Sequence, residues 1–196
     1  MKEYEVIALK NQQRALEIID EFDLIGFWEK HGCRVNLIGS LAMGLLAKHL
    51  DIDLHVYSQE LTEEKSFAIV AELVKNPKIK EIRCINGLHT DENCIAWHLT
   101  YEDTDFRRWQ IDIIHIEAGT TYDGFFERMA ERIVRRLTDE QRETILRLKF
   151  ETPEDEEIHG VEYYQAVIED GVCDMPGLRA WIAKRRVPGG SYWMPA

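Results

Sequence analysis

Asp51 and Asp53 constrain this chain more than any other pair of residues. They lie in the stretch LIGSLAMGLLAKHLDIDL, residues 37–54, at the start of a run of alternating character. Residues two apart in a strand project from the same face. No basic residue stands between them, so their charges repel. A divalent cation relieves that repulsion, and Mg²⁺ prefers carboxylate and phosphate oxygens. Upstream, a β-rich run from Cys33 to Ile38 stops at Gly39 and Ser40. Gly39 lets an anion approach the backbone, and Ser40 adds a hydroxyl donor. A helix beginning there presents free N–H groups. Residues 41–50 are good helix formers, and a helix of ~15 Å would return the chain to the same sheet.

The remaining pattern divides the chain into a core and a cap. Residues 3–22 read as a helix with Ile7, Leu16, Ile19 and Phe22 near one face. Asp23 is an N-cap candidate for a short helix to His31, with Gly32 as its left-handed stop. Thr62 caps a helix through about Lys75, burying Phe67, Val70 and Val74, and Asn76 with Pro77 ends it. Period-two segments follow at 80–85, 94–101 and 107–116, the last two joined by a hairpin turn at 102–105. From Thr121 to Leu137 the period is helical, and Thr138 with Gln141 forms a capping box for the next helix. An acidic linker at 151–157 precedes two more helices, near 161–170 and 175–186, and a loose tail from Val187. The expected division is 1–117 for a catalytic core with N-terminal helices and 118–196 for a C-terminal helical segment. The meander-like strands favour a mixed sheet.

A glycine–serine pair at a strand end, a short helix and Asp-x-Asp on the next strand together resemble the signature of the DNA polymerase β-like nucleotidyltransferase superfamily. The resemblance covers roughly residues 33–117. It implies an α/β (α+β) fold, a nucleotidyltransferase-like mixed β-sheet flanked by helices. It also implies a third carboxylate on a later, neighbouring strand. Asp112 fits that slot, because it is an acid in the otherwise apolar run 109–116, where a charge without a role is costly. Asp105 and Glu117 are the replacements. By the resemblance, Gly39 and Ser40 hold the triphosphate of an NTP, and Asp51 and Asp53 bind Mg²⁺ or Mn²⁺. Asp112 completes a second metal site and helps deprotonate the acceptor hydroxyl. Pyrophosphate leaves by in-line displacement. Lys48 is a candidate phosphate contact, with a solvated helix end as the plainer reading.

Other polar and aromatic residues divide less sharply. His55 and Tyr57 share the face of Asp51 and Asp53, and either line a substrate pocket or pack under the helical cap. His98 reads as an ordinary sheet-face residue, and His115 falls on the opposite face from Asp112. Tyr163 and Tyr164 read as core. Arg107 and Arg108 read as exposed hairpin-end residues. Arg128, Arg132, Arg135 and Arg136 read as a surface run near a helix end.

The formal net charge of −12 disfavours general nucleic-acid binding and docking on an anionic membrane. It leaves room for a nucleotide bridged by a cation. Cys33, Cys84, Cys94 and Cys173 fit no zinc spacing and read as reduced thiols. The charged N-terminus lacks the apolar core of a signal peptide, so a cytoplasmic location is expected. The expected activity is transfer of a nucleoside monophosphate to a hydroxyl-bearing small molecule. The alternatives are a degenerate protein that binds nucleotide or a partner without turnover, and a toxin–antitoxin-type transferase acting on protein or tRNA.

Overall fold

The computed structural model describes residues 1–186 and 193–195. The tail expected to be loose from Val187 falls largely outside them. Five strands form one sheet in the order β1-β2-β5-β4-β3: β1 (Arg34–Ile38), β2 (Asp51–Ser58), β3 (Ile79–Asn86), β4 (Cys94–Glu102) and β5 (Arg108–Glu117). The β2–β5 pair is parallel, and the other three pairs are antiparallel. The sheet is therefore mixed and flanked by helices, as the sequence pattern predicts.

Alternation in the strands sorts the two faces. Ile52, Leu54 and Val56 of β2, Ile111 and Ile113 of β5, and Trp97 and Leu99 of β4 point to one side and are buried. There they pack on α1 (Glu3–Glu21), α2 (Leu24–Lys30) and α4 (Glu63–Leu73), with Trp28 fully enclosed. His115 lies on this same face and bonds Ser58 Oγ at 2.6 Å and Ser66 Oγ at 3.0 Å. The opposite face carries Asp51, Asp53 and Asp112.

Two helices bury faces other than those expected. In α1 the buried residues are Tyr4, Ala8, Asn11, Ala15, Ile18 and Ile19, whereas Leu16 is exposed. Small Ala8 and Ala15 permit close approach, and Asn11 donates to the Ala47 carbonyl at 2.8 Å. In α4, Thr62 caps by accepting from the Lys65 N–H at 3.2 Å. Ser66, Ile69, Val70 and Leu73 face the core, and Phe67 is exposed on one side with its ring edge against Trp97. Asp23 precedes α2 in a left-handed conformation but makes no side-chain cap. Its carboxylate pairs with Lys30 instead.

The largest departure concerns residues 41–50. The expected helix is a single turn, α3 (Gly39–Ala42), and the chain then runs irregularly to β2. Gly44 turns it with φ +66°. Met43 and Leu45 enter an apolar cluster of the C-terminal helices, and Leu46 enters the sheet core. The carbonyls a helix would have paired internally are taken by side chains. Arg142 donates to Met43 and Gly44 at 2.9 and 3.0 Å, Lys149 to Leu45 at 3.0 Å, and Gln12 to Leu46 at 2.9 Å.

The C-terminal helices are α5 (Phe125–Arg136), α6 (Asp139–Glu151), α7 (Gly160–Ile168) and α8 (Met175–Arg185). The start of α5 is later than its pattern suggests, because Gly124 at its N-cap takes φ +69° and turns the chain in. Thr138 and Gln141 form the capping box of α6. Ile133, Ile145, Leu148, Tyr163, Tyr164 and Leu178 are buried together in the second apolar cluster. No helix among the described residues is long and apolar enough to cross a membrane.

Arg142 ties α6 to the irregular strap, so R142A should destabilise the protein by ~2 kcal/mol, the scale of hydrogen bonds to a charged group. Chemical denaturation of the two proteins measures the difference.

Candidate active site

The parallel pairing of β2 with β5 sets Asp53 directly beside Asp112. Antiparallel pairing then sets His98 of β4 beside Asp112 and Ile38 of β1 beside Asp53. One row thus runs Ile38, Asp53, Asp112, His98 across four strands, with Asp51 two residues back on the same face. The sheet register brings all three sequence-derived carboxylates to one place.

Each neighbour in the row has a local reason. Gly39 follows Ile38 with φ +69°, and a Cβ there would run into the Asp53 carboxylate. Only glycine lets the loop lie against that acid. Ser40 comes next. Its hydroxyl is buried and has no hydrogen-bond partner among the described residues. An orphaned buried hydroxyl is costly unless a ligand completes it. Since α3 is a single turn, the candidate anion cradle comprises this glycine and serine rather than the end of a long helix.

Asp112 is held from two sides. His98 Nδ1 lies 2.7 Å from its Oδ1, and Gln110 Nε2 donates to both oxygens at 3.0 and 2.9 Å. Among the described residues Asp51 and Asp53 have no such side-chain donor, and their carboxyls are pushed upward. For Asp53 the causes are burial first, then repulsion from Asp51 and Asp112, and the result is about 8. For Asp51 burial leads again, opposed by Lys149 and His49 and reinforced by Asp112.

Lys149 is the charged neighbour of the carboxylates that the sequence reading missed. It is buried on α6, donates to Leu45 O at 3.0 Å and Tyr164 Oη at 3.4 Å, and feels the field of Asp51 and Asp53. Burial lowers its pKa, and the two aspartates oppose the shift. Its spacing of four from buried Ile145 was the available signal, since a lysine on the apolar stripe of a helix needs a partner. Lys48, a candidate phosphate contact whose plainer reading is a solvated helix end, sends its amine to the Thr152 carbonyl at the end of α6.

His55 and Tyr57 extend the same face. Tyr57 donates to Glu127 Oε1 at 2.5 Å, so the His55 Nδ1–H must be the donor in the 3.3 Å contact with Tyr57 Oη. Burial pushes His55 down to about 4. Its ring meets Phe126 edge-on at 5.0 Å. Arg107 is a structural residue, donating to Asp103 at 3.1 Å.

The donors suit a divalent cation. They are hard oxygens, burial and neighbouring carboxylates disfavour the anionic forms of Asp51 and Asp53, and the Ser40 hydroxyl is buried without a partner among the described residues. Among the described residues no three metal-binding side chains already stand in coordinating positions. Asp112 is engaged with His98 and Gln110.

No family model matches the sequence, and no curated protein does. The fold is similar to that of solved poly(U) and poly(A) polymerases. The Cid1 poly(U) polymerase with MgGTP bound superposes with a TM-score of 0.58 at 15% identity, over 81% of this chain and 49% of that one. The GLD-2–GLD-3 poly(A) polymerase complex gives 0.56 at 11%, over 86% and 58%. A cytoplasmic RNA terminal U-transferase gives 0.53 at 16%, over 85% and 51%. At such identities the likeness is one of fold, and this chain spans about half the length of those proteins.

The raised Asp53 pKa has a pH signature. The folded protein keeps a proton that the unfolded chain loses near pH ~4. Asp53 therefore favours folding below that pH, and the contribution is lost as pH rises toward 8. Lys149, with a lowered pKa, acts in the opposite sense. In chelator, wild type should lose ~5 °C of Tm relative to D53N between pH 5 and pH 8. Millimolar Mg²⁺ should restore wild type and leave D53N unmoved. Thermal denaturation across pH reads both effects.

Proposed function

We propose that this chain is a metal-dependent nucleotidyltransferase that moves a nucleoside monophosphate from an NTP to the hydroxyl of a small acceptor. The observation that carries the reading is the direct pairing of Asp53 with Asp112 across parallel strands, beside a glycine–serine loop that touches Asp53. Asp51, Asp53 and Asp112 would hold Mg²⁺ or Mn²⁺, which when bound stabilises the charge on the reacting phosphate oxygens.

The chain's own groups divide the remaining work. Gly39 and Ser40 seat the terminal phosphates, with the orphaned Ser40 hydroxyl as a donor. Lys149 supplies positive charge behind Asp51 and Asp53. Asp112, fixed by His98 and Gln110, takes the acceptor's hydroxyl proton. That oxygen bonds the α-phosphorus, the bond to the β-phosphate's bridging oxygen breaks, and pyrophosphate leaves.

The net charge of −12 supports a small acceptor over a polynucleotide. The resemblance to RNA-tailing enzymes supports RNA 3′ ends as the second reading. A pyrophosphate-release assay with each NTP, Mg²⁺ and both acceptor kinds tests the proposal. The Asp51→Asn/Asp53→Asn double variant should lose ~10³-fold or more of the wild-type rate. Undiminished release from that variant refutes the assignment.

A further inference from the structure

Beyond the carboxylate row, on the same face, lies a cavity of about 200 Å³. Its floor is one pleat further along three strands: His55 beyond Asp53, Ile114 beyond Asp112, and Ala96 across from Ile114. Two residues of strand cover ~6.6 Å, so the floor begins at that distance from the acids. Cys94 and Ile116 continue it, and Phe126, Tyr122 and Glu92 complete the lining. The lining is mainly apolar.

Its direction from the acids matters. β1 runs antiparallel to β2 with Ile38 beside Asp53, so the chain leaving Ile38 carries Gly39 and Ser40 toward the Asp51 end. The cavity lies toward the opposite end of β2. An in-line displacement places the attacking and departing oxygens on opposite sides of the phosphorus. With phosphates at Gly39 and Ser40, the attacking hydroxyl arrives from the cavity side.

Resting on the transferase reading above, we propose that this cavity is the acceptor subsite, and that the acceptor is an alcohol whose hydroxyl sits on a short arm of one apolar ring. The volume sets the size, since a cavity of about 150 Å³ holds benzene. The ~6.6 Å offset sets the arm, because the ring rests over Ile114 and Ala96 while the hydroxyl reaches Asp112. His55 and the Glu92 carboxylate are the polar groups of the lining, so a second N–H or O–H on the ring would find an acceptor there. The alcohol oxygen bonds the α-phosphorus, its proton goes to Asp112, and pyrophosphate leaves, giving a phosphodiester of nucleoside and alcohol.

The test follows product mass and pyrophosphate with Mg²⁺ and NTP, using 2-phenylethanol, 4-hydroxyphenethyl alcohol, glycerol and oligouridylate as acceptors. The ring alcohols should be nucleotidylated in preference to glycerol and oligouridylate. Ala96→Phe should raise the KM for them ~10-fold or more, and the milder Ala96→Val should fall between. Calorimetric affinity for Mg-NTP, matched to wild type, shows that the variants fold. Transfer that prefers glycerol or oligouridylate, or a KM unmoved by both variants, overturns the subsite while leaving the transferase reading standing. Absence of pyrophosphate release from wild type with every acceptor overturns that reading and the subsite with it.

Discussion

Like charges held side by side in a sheet are the constraint around which this molecule is arranged. Asp53 and Asp112 are neighbours across the parallel β2–β5 pair, and Asp51 shares their face. Partial burial and mutual repulsion make the charged forms expensive, as the raised Asp53 pKa records. The protein answers that cost unevenly. It braces Asp112 with His98 and Gln110, sets Lys149 within electrostatic reach of the other two, and leaves Asp53 with a raised pKa.

The strap from Met43 to Lys48 is the structural counterpart of that arrangement. Its side chains are divided among three apolar clusters, and its carbonyls accept from Asn11, Gln12, Arg142, and Lys149. The same lysine that closes the strap lies beside the carboxylates. Packing of the C-terminal helices on the strap therefore also sets the charge environment of the site. A stability defect at this junction and a change at the site are physically linked.

Much of the fold was legible in the sequence because local periodicity and capping chemistry are local facts. The strands of the sheet follow from alternating apolar residues, and Thr138 with Gln141 marks the start of α6. Three misreadings share one cause. Residues 41–50 have helical propensity, Leu16 and Phe67 have apolar side chains, and Lys48 precedes the aspartates. In each case a distant group decided the outcome: side-chain donors from α1 and α6 for the strap, a better-fitting face for the two helices, and the Thr152 carbonyl for Lys48.

The sequence by itself determined that Asp51 and Asp53 share a face, that Gly39 and Ser40 end a strand just before them, and that Asp112 is an acid in an apolar strand. Spacing along one strand suffices for the first, and residue chemistry for the others. Only the tertiary structure decided that Asp112 stands beside Asp53, that His98 and Gln110 hold it, that Lys149 is buried close by, and that a ring-sized cavity opens beyond the acids. Those facts depend on strand order, register and helix docking, which arise from contacts between residues far apart in the chain and leave no periodic trace in it.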